Sequence, residues 1–247
     1  VAAPPKEAPW DTNLGGGMKI PSARHGVRGV ALVGAALGLA LSLGAGSAGA
    51  SGPSKALAQA KTHLLKLSDM PKAWTSQPSS NSGSNDFPGK SQLAPCIGVP
   101  LSVINLNPPK VSSPDFGNKA STYAVSENIK VFSSTKVAKT AYAAVTSPKT
   151  PGCYAQVLNG PAKSTLLGAF PSGATLSTIT VVPATGSLHG YTAAFTVTAQ
   201  GQTVHLVLTT LFALKGTEGM QLEFTGYGST FPSSLAKHLS SVAVGRL

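Results

Sequence analysis

Acidic side chains are scarce in this sequence. Only 8 of its 247 residues are Asp or Glu, and charged residues of both signs make up 11%, less than half of the ~25% usual in soluble proteins. That poverty excludes a charge-rich disordered tail protein and a coiled coil, and the composition excludes a collagen. Cysteine is nearly missing, with Cys96 and Cys153 alone. Two thiols without clustered histidines make no zinc site, so neither a metal nor another cofactor is expected. The chain has no G-x-S-x-G elbow, no P-loop and no H-E-x-x-H, the strings that would announce acyl transfer, nucleotide binding or metalloproteolysis. Gly44-x-Gly46-x-x-Gly49 matches the dinucleotide string, but no strand precedes it and it lies in a targeting segment, so it carries no weight. No internal repeat is visible. The length suits one domain, or two small ones, with a real core.

What is present begins with that targeting segment. Met18 is followed by Lys19, Arg24, His25 and Arg28, by an apolar run from Gly29 to Leu43, and by small residues up to Ser51. A basic region, an apolar region and a small-x-small exit are the three parts of a secretory signal. The run falls short of the ~20 residues that span a bilayer; a retained anchor is the alternative. Cleavage after Ala48-Gly49-Ala50 gives a mature start at Ser51. Pro4, Pro5, Glu7 and Asp11 are foreign to a signal, and Gly15–Gly17 before Met18 imply G-rich codons, as in a ribosome-binding site. The expected division is therefore an untranslated leader over 1–17, a signal peptide over 18–50, and a secreted domain over 51–247 with no transmembrane anchor after cleavage.

Export makes a Cys96–Cys153 disulfide the expected use of the two thiols. Closing a loop of this length is worth ~4 kcal/mol in the chain-entropy treatment; two unpaired structural thiols are the alternative. Four of the 19 basic and two of the 8 acidic residues precede Ser51, leaving 15 against 6. The lysines are scattered singly and Arg246 is the one arginine after Ser51. Phosphate binders cluster Lys and Arg on one face, so no nucleic acid is expected. Scattered lysines fit solubility or attraction to an anionic surface.

Apolar spacing predicts a helix over Ser54–Leu67 capped by Ser54, with Leu57, Ala60, Leu64 and Leu67 on one face and Pro71 beyond it. A short strand over Trp74–Ser76, a Ser/Asn/Gly loop over Ser79–Lys90, and helical turns broken at Pro95 and Pro100 follow. Ser121–Phe132 reads as a strand. A helix capped by Ser133 or Ser134 carries Val137, Ala138, Ala141 and Val145, and is expected to end at Lys149–Gly152, just before Cys153. Strands over Ala174–Val182, Leu188–Ala199, Thr203–Leu214 and Met220–Tyr227 precede a last helix over Ser233–Val244 with Gly245 as its stop. A turn at Gln200-Gly201 pairs residues whose numbers sum to 401. A turn through Lys215–Gly219 pairs residues summing to 434 and sets Phe212 and Leu214 beside Met220, Leu222 and Phe224. Thr192, Thr196, His205, Thr209, Glu223 and Thr225 then share the opposite, wetter face. The expected fold is a single α+β domain: an antiparallel sheet with one face packed by helices, and N- and C-terminal helices flanking it.

The carboxylates after Ser51 are Asp69, Asp86, Asp115, Glu127, Glu218 and Glu223, and the histidines are His63, His189, His205 and His238. No pairing of them spells a hydrolase, so no catalytic residue is assigned. His63 and His238 read as solvated helix flanks. His205, with Thr196, Thr209 and Glu223, is the candidate ligand-facing surface; an ordinary solvated sheet face is the alternative.

The order of features resembles a known family. Leu64-Leu65, Asp69-Met70-Pro71-x-x-Trp74-Thr75, Cys96-Ile97-Gly98-Val99-Pro100, Ser113-Pro114-Asp115-Phe116, an Ala-rich stretch over Ala138–Ala144 and then Cys153 are similar to the PknH-like extracellular sensor domains of actinobacterial membrane serine/threonine kinases and their secreted or lipoprotein relatives. The resemblance covers about residues 54–247. It implies an antiparallel sheet with flanking helices, disulfide bonding and a ligand-binding cleft, and it matches no binding residue. The function expected is a secreted, non-enzymatic binding or sensor-like domain of the bacterial cell envelope, whose partner is an unknown small or amphipathic ligand or an envelope component. A secreted hydrolase with a Ser/His site and a structural envelope protein are the alternatives.

Overall fold

The computed structural model describes residues 52–79 and 89–247. The expected signal, its cleavage residues Ala48, Ala50 and Ser51, and nearly all of the Ser79–Lys90 loop lie outside the described residues. The fold is α+β, one domain built on an antiparallel sheet. Helix α1 spans Gly52–His63, β1 Trp74–Gln77, α2 Lys90–Ile97 and α3 Leu101–Ile104. Next come β2 Lys110–Ser112, β3 Asp115–Asn118, β4 Tyr123–Val131, α4 Thr135–Val145, α5 Thr150–Asn159 and α6 Lys163–Gly168. The last part holds β5 Thr175–Leu176, β6 Thr180–Pro183, β7 His189–Ala199, β8 Gln202–Lys215, β9 Glu218–Tyr227 and α7 Ser233–Arg246. The sheet runs β1-β3-β4-β9-β8-β7-β5, with β2 also on β4 and β6 also on β7.

Two hairpins set which side chains share a face. Gln200 and Gly201 both have positive φ, the turn that suits the right-handed twist of a two-residue hairpin, and Thr196 faces His205 as the 401 sum requires. The next hairpin turns on two residues, Gly216 and Thr217, with Lys215 opposite Glu218. Its pairs sum to 433, one less than expected, because a two-residue turn replaces the longer loop. One residue of register inverts the pleat. Leu206, Leu208 and Phe212 therefore pack on one face of the sheet, and Leu222 and Phe224 on the other. Glu223 and Thr225 lie on the face of Leu208 and Phe212, not with His205.

Both faces are consequently covered in part. Helices α2, α3, α5 and α6 close the first over Tyr191, Phe195, Leu206 and Leu208. The terminal helices α1 and α7 close the second over Ile129, Met220, Leu222 and Phe224. The wet surface expected of that second face is confined to the β7–β8 hairpin, where His205 is exposed and Thr192, Thr196 and Thr209 are half-buried.

Several local expectations change with packing. Helix α1 starts at Gly52, ahead of Ser54, and stops at His63; Leu64 and Leu65 are buried beyond its end, while Leu67 sits exposed in a 3-10 turn. The Ser134 Oγ does cap α4, accepting from Val137 N at 3.3 Å. Thr150-Pro151-Gly152 opens a new helix instead of ending one, since a proline in the first turn lacks only an N–H that has no helical partner anyway. Pro95 lies inside α2, and α7 runs through Gly245 to Arg246. The strand expected over Ala174–Val182 breaks at residues 177–179, where the Asn159 amide donates to Ile179 O and accepts from Ile179 N, both at 2.8 Å.

Cys96 of α2 and Cys153 of α5 are joined by a disulfide, with Cα atoms 5.7 Å apart. The bond clamps two helices on the same sheet face. Reduction is expected to lower stability by ~2–4 kcal/mol, read as a fall in Tm with dithiothreitol that a Cys96→Ala/Cys153→Ala double variant no longer shows.

Candidate functional site

The face under α2 and α5 is apolar over β7 and β8 but polar over β4 and β9. Across the sheet, the pairs Asn128–Gln221 and Ser126–Glu223 continue to Phe212 and Thr210 on β8, and from Thr210 to Tyr191 on β7. Gln221, Glu223 and Thr225 are buried there. Asp115 joins this row through a bulge. Ser113 N donates to Glu127 O in the β2 register, whereas Phe116 faces Val125 one residue out of step. Pro114 has no N–H to contribute and sits at the slip, where a strand tolerates it. The slip turns Phe116 into the core and leaves Asp115 beside Ser126, on the side of Glu223.

Glu223 is 6% exposed, and among the described residues no hydrogen bond or ion pair reaches its carboxyl. Burial, and next to it the Asp115 charge, push its pKa up to about 8. Tyr191 and Tyr154 stack over the far end of the row, ring centroids 4.8 Å apart. Tyr227 is half-buried on the same face, and its hydroxyl pKa is raised by burial and then by the Glu223 and Asp115 charges. Asp115, Ser126 and Tyr227 are only half-buried.

The other end of the polar strip is basic. Burial, followed by the charges of Lys110 and Lys90, lowers the Lys130 ammonium to about 8. Here a small pocket, open to solvent, lies between α4 and the sheet. Ala141, Tyr142, Val145 and Phe212 make its apolar wall, and Lys130 and Gln221 its polar floor. Gln221 is two residues from Glu223 on one strand, hence ~7 Å away along the same face. An apolar pocket with a few convergent polar groups is the usual form of a small-molecule site.

The four residues proposed from sequence as a ligand surface are not together. Thr196, His205 and Thr209 lie on the outer face of the β7–β8 hairpin, while Glu223 faces Thr210 on the other side of the sheet. Asp115, Ser126, Tyr154, Tyr191 and Tyr227 were missed. Alternation of Ser126, Asn128 and Lys130 against Val125, Glu127 and Ile129 was a visible signal, but it reads equally as a wet face. Only the count of turn residues at Gly216-Thr217 could have placed it.

Glu127 belongs to a different assembly. It is buried on the opposite face, where its Oε2 accepts from Leu65 N at 2.6 Å and its Oε1 has no partner among the described residues. Burial raises its pKa to about 7. Arg246 pairs with both oxygens of Asp69 at 2.7 Å and donates to Leu64 O. His63 Nδ1 meets Glu218 Oε2 at 2.8 Å and is not the solvated flank expected. These contacts pin the terminal helices. Among the described residues no serine hydroxyl bonds to a histidine, no three His, Cys, Asp or Glu come together, and no helix is long and apolar enough to cross a membrane.

No family model and no curated relative matches the chain. Among solved structures it is similar to the extracellular domain of PknH from Mycobacterium tuberculosis, at 8% identity and a TM-score of 0.36, over 77% of this chain and 95% of that one. The likeness is as loose as the short motifs suggested, and no residue role passes from that domain to this chain.

Proposed function

We propose that this is an exported, non-enzymatic binding domain that takes a small amphipathic ligand in the pocket between α4 and the sheet, with the ligand's polar end on the Gln221–Glu223 strip. The observation that carries the reading is the buried polar strip beside an apolar pocket. A core position that only had to pack would be apolar, because burying a polar group without a partner costs free energy. The disulfide supports an oxidising compartment, and the basic segment after Met18 supports export.

Mass spectrometry under native conditions of protein recovered from culture medium is the test. A co-purifying small molecule that is lost from a Val145→Trp variant, whose ring fills the pocket, is the expected result. The mature chain should begin at Ser51. Esterase, peptidase and glycosidase substrates should show no turnover; turnover that disappears in His205→Ala or Glu223→Ala would replace binding with hydrolysis.

A further inference from the structure

We infer that residues 60–70 form a strap across the second face of the sheet, and that proton occupancy of the Glu127 carboxyl sets how firmly the strap is held, closed in acid and loosened above neutral. Glu127 lies on β4 and is fully buried. Its Oε2 accepts from Leu65 N at 2.6 Å, whereas its Oε1 has no partner among the described residues. Leu64 and Leu65 are buried as well, so strap and carboxyl shut each other off from water. An ionised carboxylate here leaves a charged oxygen without a donor; a neutral carboxyl leaves only an uncharged one, a far smaller penalty. Burial accordingly raises the Glu127 pKa to about 7. A strap that lifts lets water reach both oxygens and restores the ordinary value of 4.5, so ionisation favours the lifted state.

The charged groups around Glu127 do not relieve it. Asp69, in the 3-10 turn, opposes its ionisation, and Arg246, from α7, favours it by less than burial opposes it. Arg246 is engaged with both Asp69 oxygens at 2.7 Å and with Leu64 O at 3.1 Å. Lys61 and Lys66 of the strap and Lys237 and His238 of α7 are exposed, and Lys110 of β2 faces Lys130, which points to the other side of the sheet. β9 sets Leu222 opposite Glu127, and the Ser113 hydroxyl accepts from Glu127 N. A second contact of the strap works in the same direction. His63 Nδ1 meets Glu218 Oε2 at 2.8 Å, an attraction between charges only while the imidazole carries its second proton, so rising pH loosens it too. The Asp69–Arg246 pair keeps both its charges near neutral pH and is the hold that remains. Lifting uncovers Leu64, Leu65 and the sheet beneath them. The Cys96–Cys153 clamp belongs to the other face and is untouched.

Amide hydrogen exchange of the purified full chain is the test, read at residues 60–70 with the β7–β8 amides as the reference and corrected for the intrinsic pH dependence of exchange. The hold that Glu127 supplies is present below about 4.5 and gone above about 7. Protection of the strap relative to β7–β8 should therefore fall ~10-fold or more between about pH 5.5 and about pH 8. Glu127→Gln keeps an acceptor for Leu65 N and removes the titration, so its ratio should stay within ~2-fold over the same range. His63→Gln should keep most of the fall. A ratio that does not change in the parent would overturn the inference, because the strap would then open only with the whole domain. A fall that persists in Glu127→Gln and vanishes in His63→Gln would overturn it as well, handing control to the His63–Glu218 contact. Should Glu127→Gln fail to fold, the parent and His63→Gln decide: a fall present in both supports Glu127, and one lost in His63→Gln overturns it.

Discussion

Phe224→Ala is expected to lower the free energy of unfolding by ~3–5 kcal/mol, the cost of emptying a large aromatic from a closed core. Phe224 is 1% exposed, and its ring centroid lies 4.8 Å from that of Phe231 and close to the second face of the sheet. It faces Val125 on β4 and Thr209 on β8. Arg246 of α7 pairs with Asp69 in the turn after α1, a contact that ties the two terminal elements over this face. His205→Ala, one hairpin away and exposed, should stay within ~0.5 kcal/mol, as surface substitutions do. Urea denaturation measures both. A loss under 1 kcal/mol for Phe224→Ala would mean that the terminal helices do not close this face.

Stability should fall as pH rises from about 4.5 to about 8, and the cause is two buried carboxyls. Glu127 and Glu223 have folded pKa values of about 7 and about 8 against an ordinary value of 4.5. Each binds a proton more tightly when folded. The stability each contributes is therefore fully present below about 4.5, is lost as pH climbs through that window, and is gone above the folded pKa. At ~1.4 kcal/mol per unit, the fall is ~3 kcal/mol for Glu127 and ~5 kcal/mol for Glu223 as upper figures. Lys130 works in a later window. Its folded value of about 8 lies below the ordinary 10.5, so stability returns as pH rises between the two. On the acid side, Arg246 holds the Asp69 carboxyl below its ordinary range, and that contribution is lost as pH falls through it. The optimum thus sits acid of neutral. Glu223→Gln should flatten the descent and raise Tm at pH 8.5, with little effect at pH 4.5. Thermal melts across pH 4–10 decide it, and a Tm that rises from pH 5 to 8 would show that Glu223 has a compensating cation already in place.

The two predictions meet at the same strand. Phe224 and Glu223 are neighbours on β9 and point to opposite faces, so one is read by packing and the other by titration. That strand also shows where sequence reasoning stopped. Met220, Leu222 and Phe224 alternate with Gln221, Glu223 and Thr225, and the alternation correctly announces a strand with one apolar face. It does not say which face of the sheet that is. The answer hangs on whether the preceding turn holds two residues or more.

Local chemistry was sufficient for what depends on local chemistry. The 3.6-residue spacing around Ala138 and Ala141, the Ser134 cap, the positive-φ turn at Gln200-Gly201 and the two-residue period of β7, β8 and β9 all follow from backbone sterics and hydrogen bonding within a few residues. They were sufficient for an α+β antiparallel fold. What the tertiary structure alone decided is set by groups distant in sequence. A single-residue difference at Gly216-Thr217 moved Glu223 from a wet surface to a buried row, because the pleat reverses with every residue. Asp115 came beside it only through a bulge at Pro114 and two strand pairings. The helices Lys90–Ile97 and Thr150–Asn159 then closed over one part of that face and left the polar part beside a pocket, and no pattern along the chain records where a helix from elsewhere will lie.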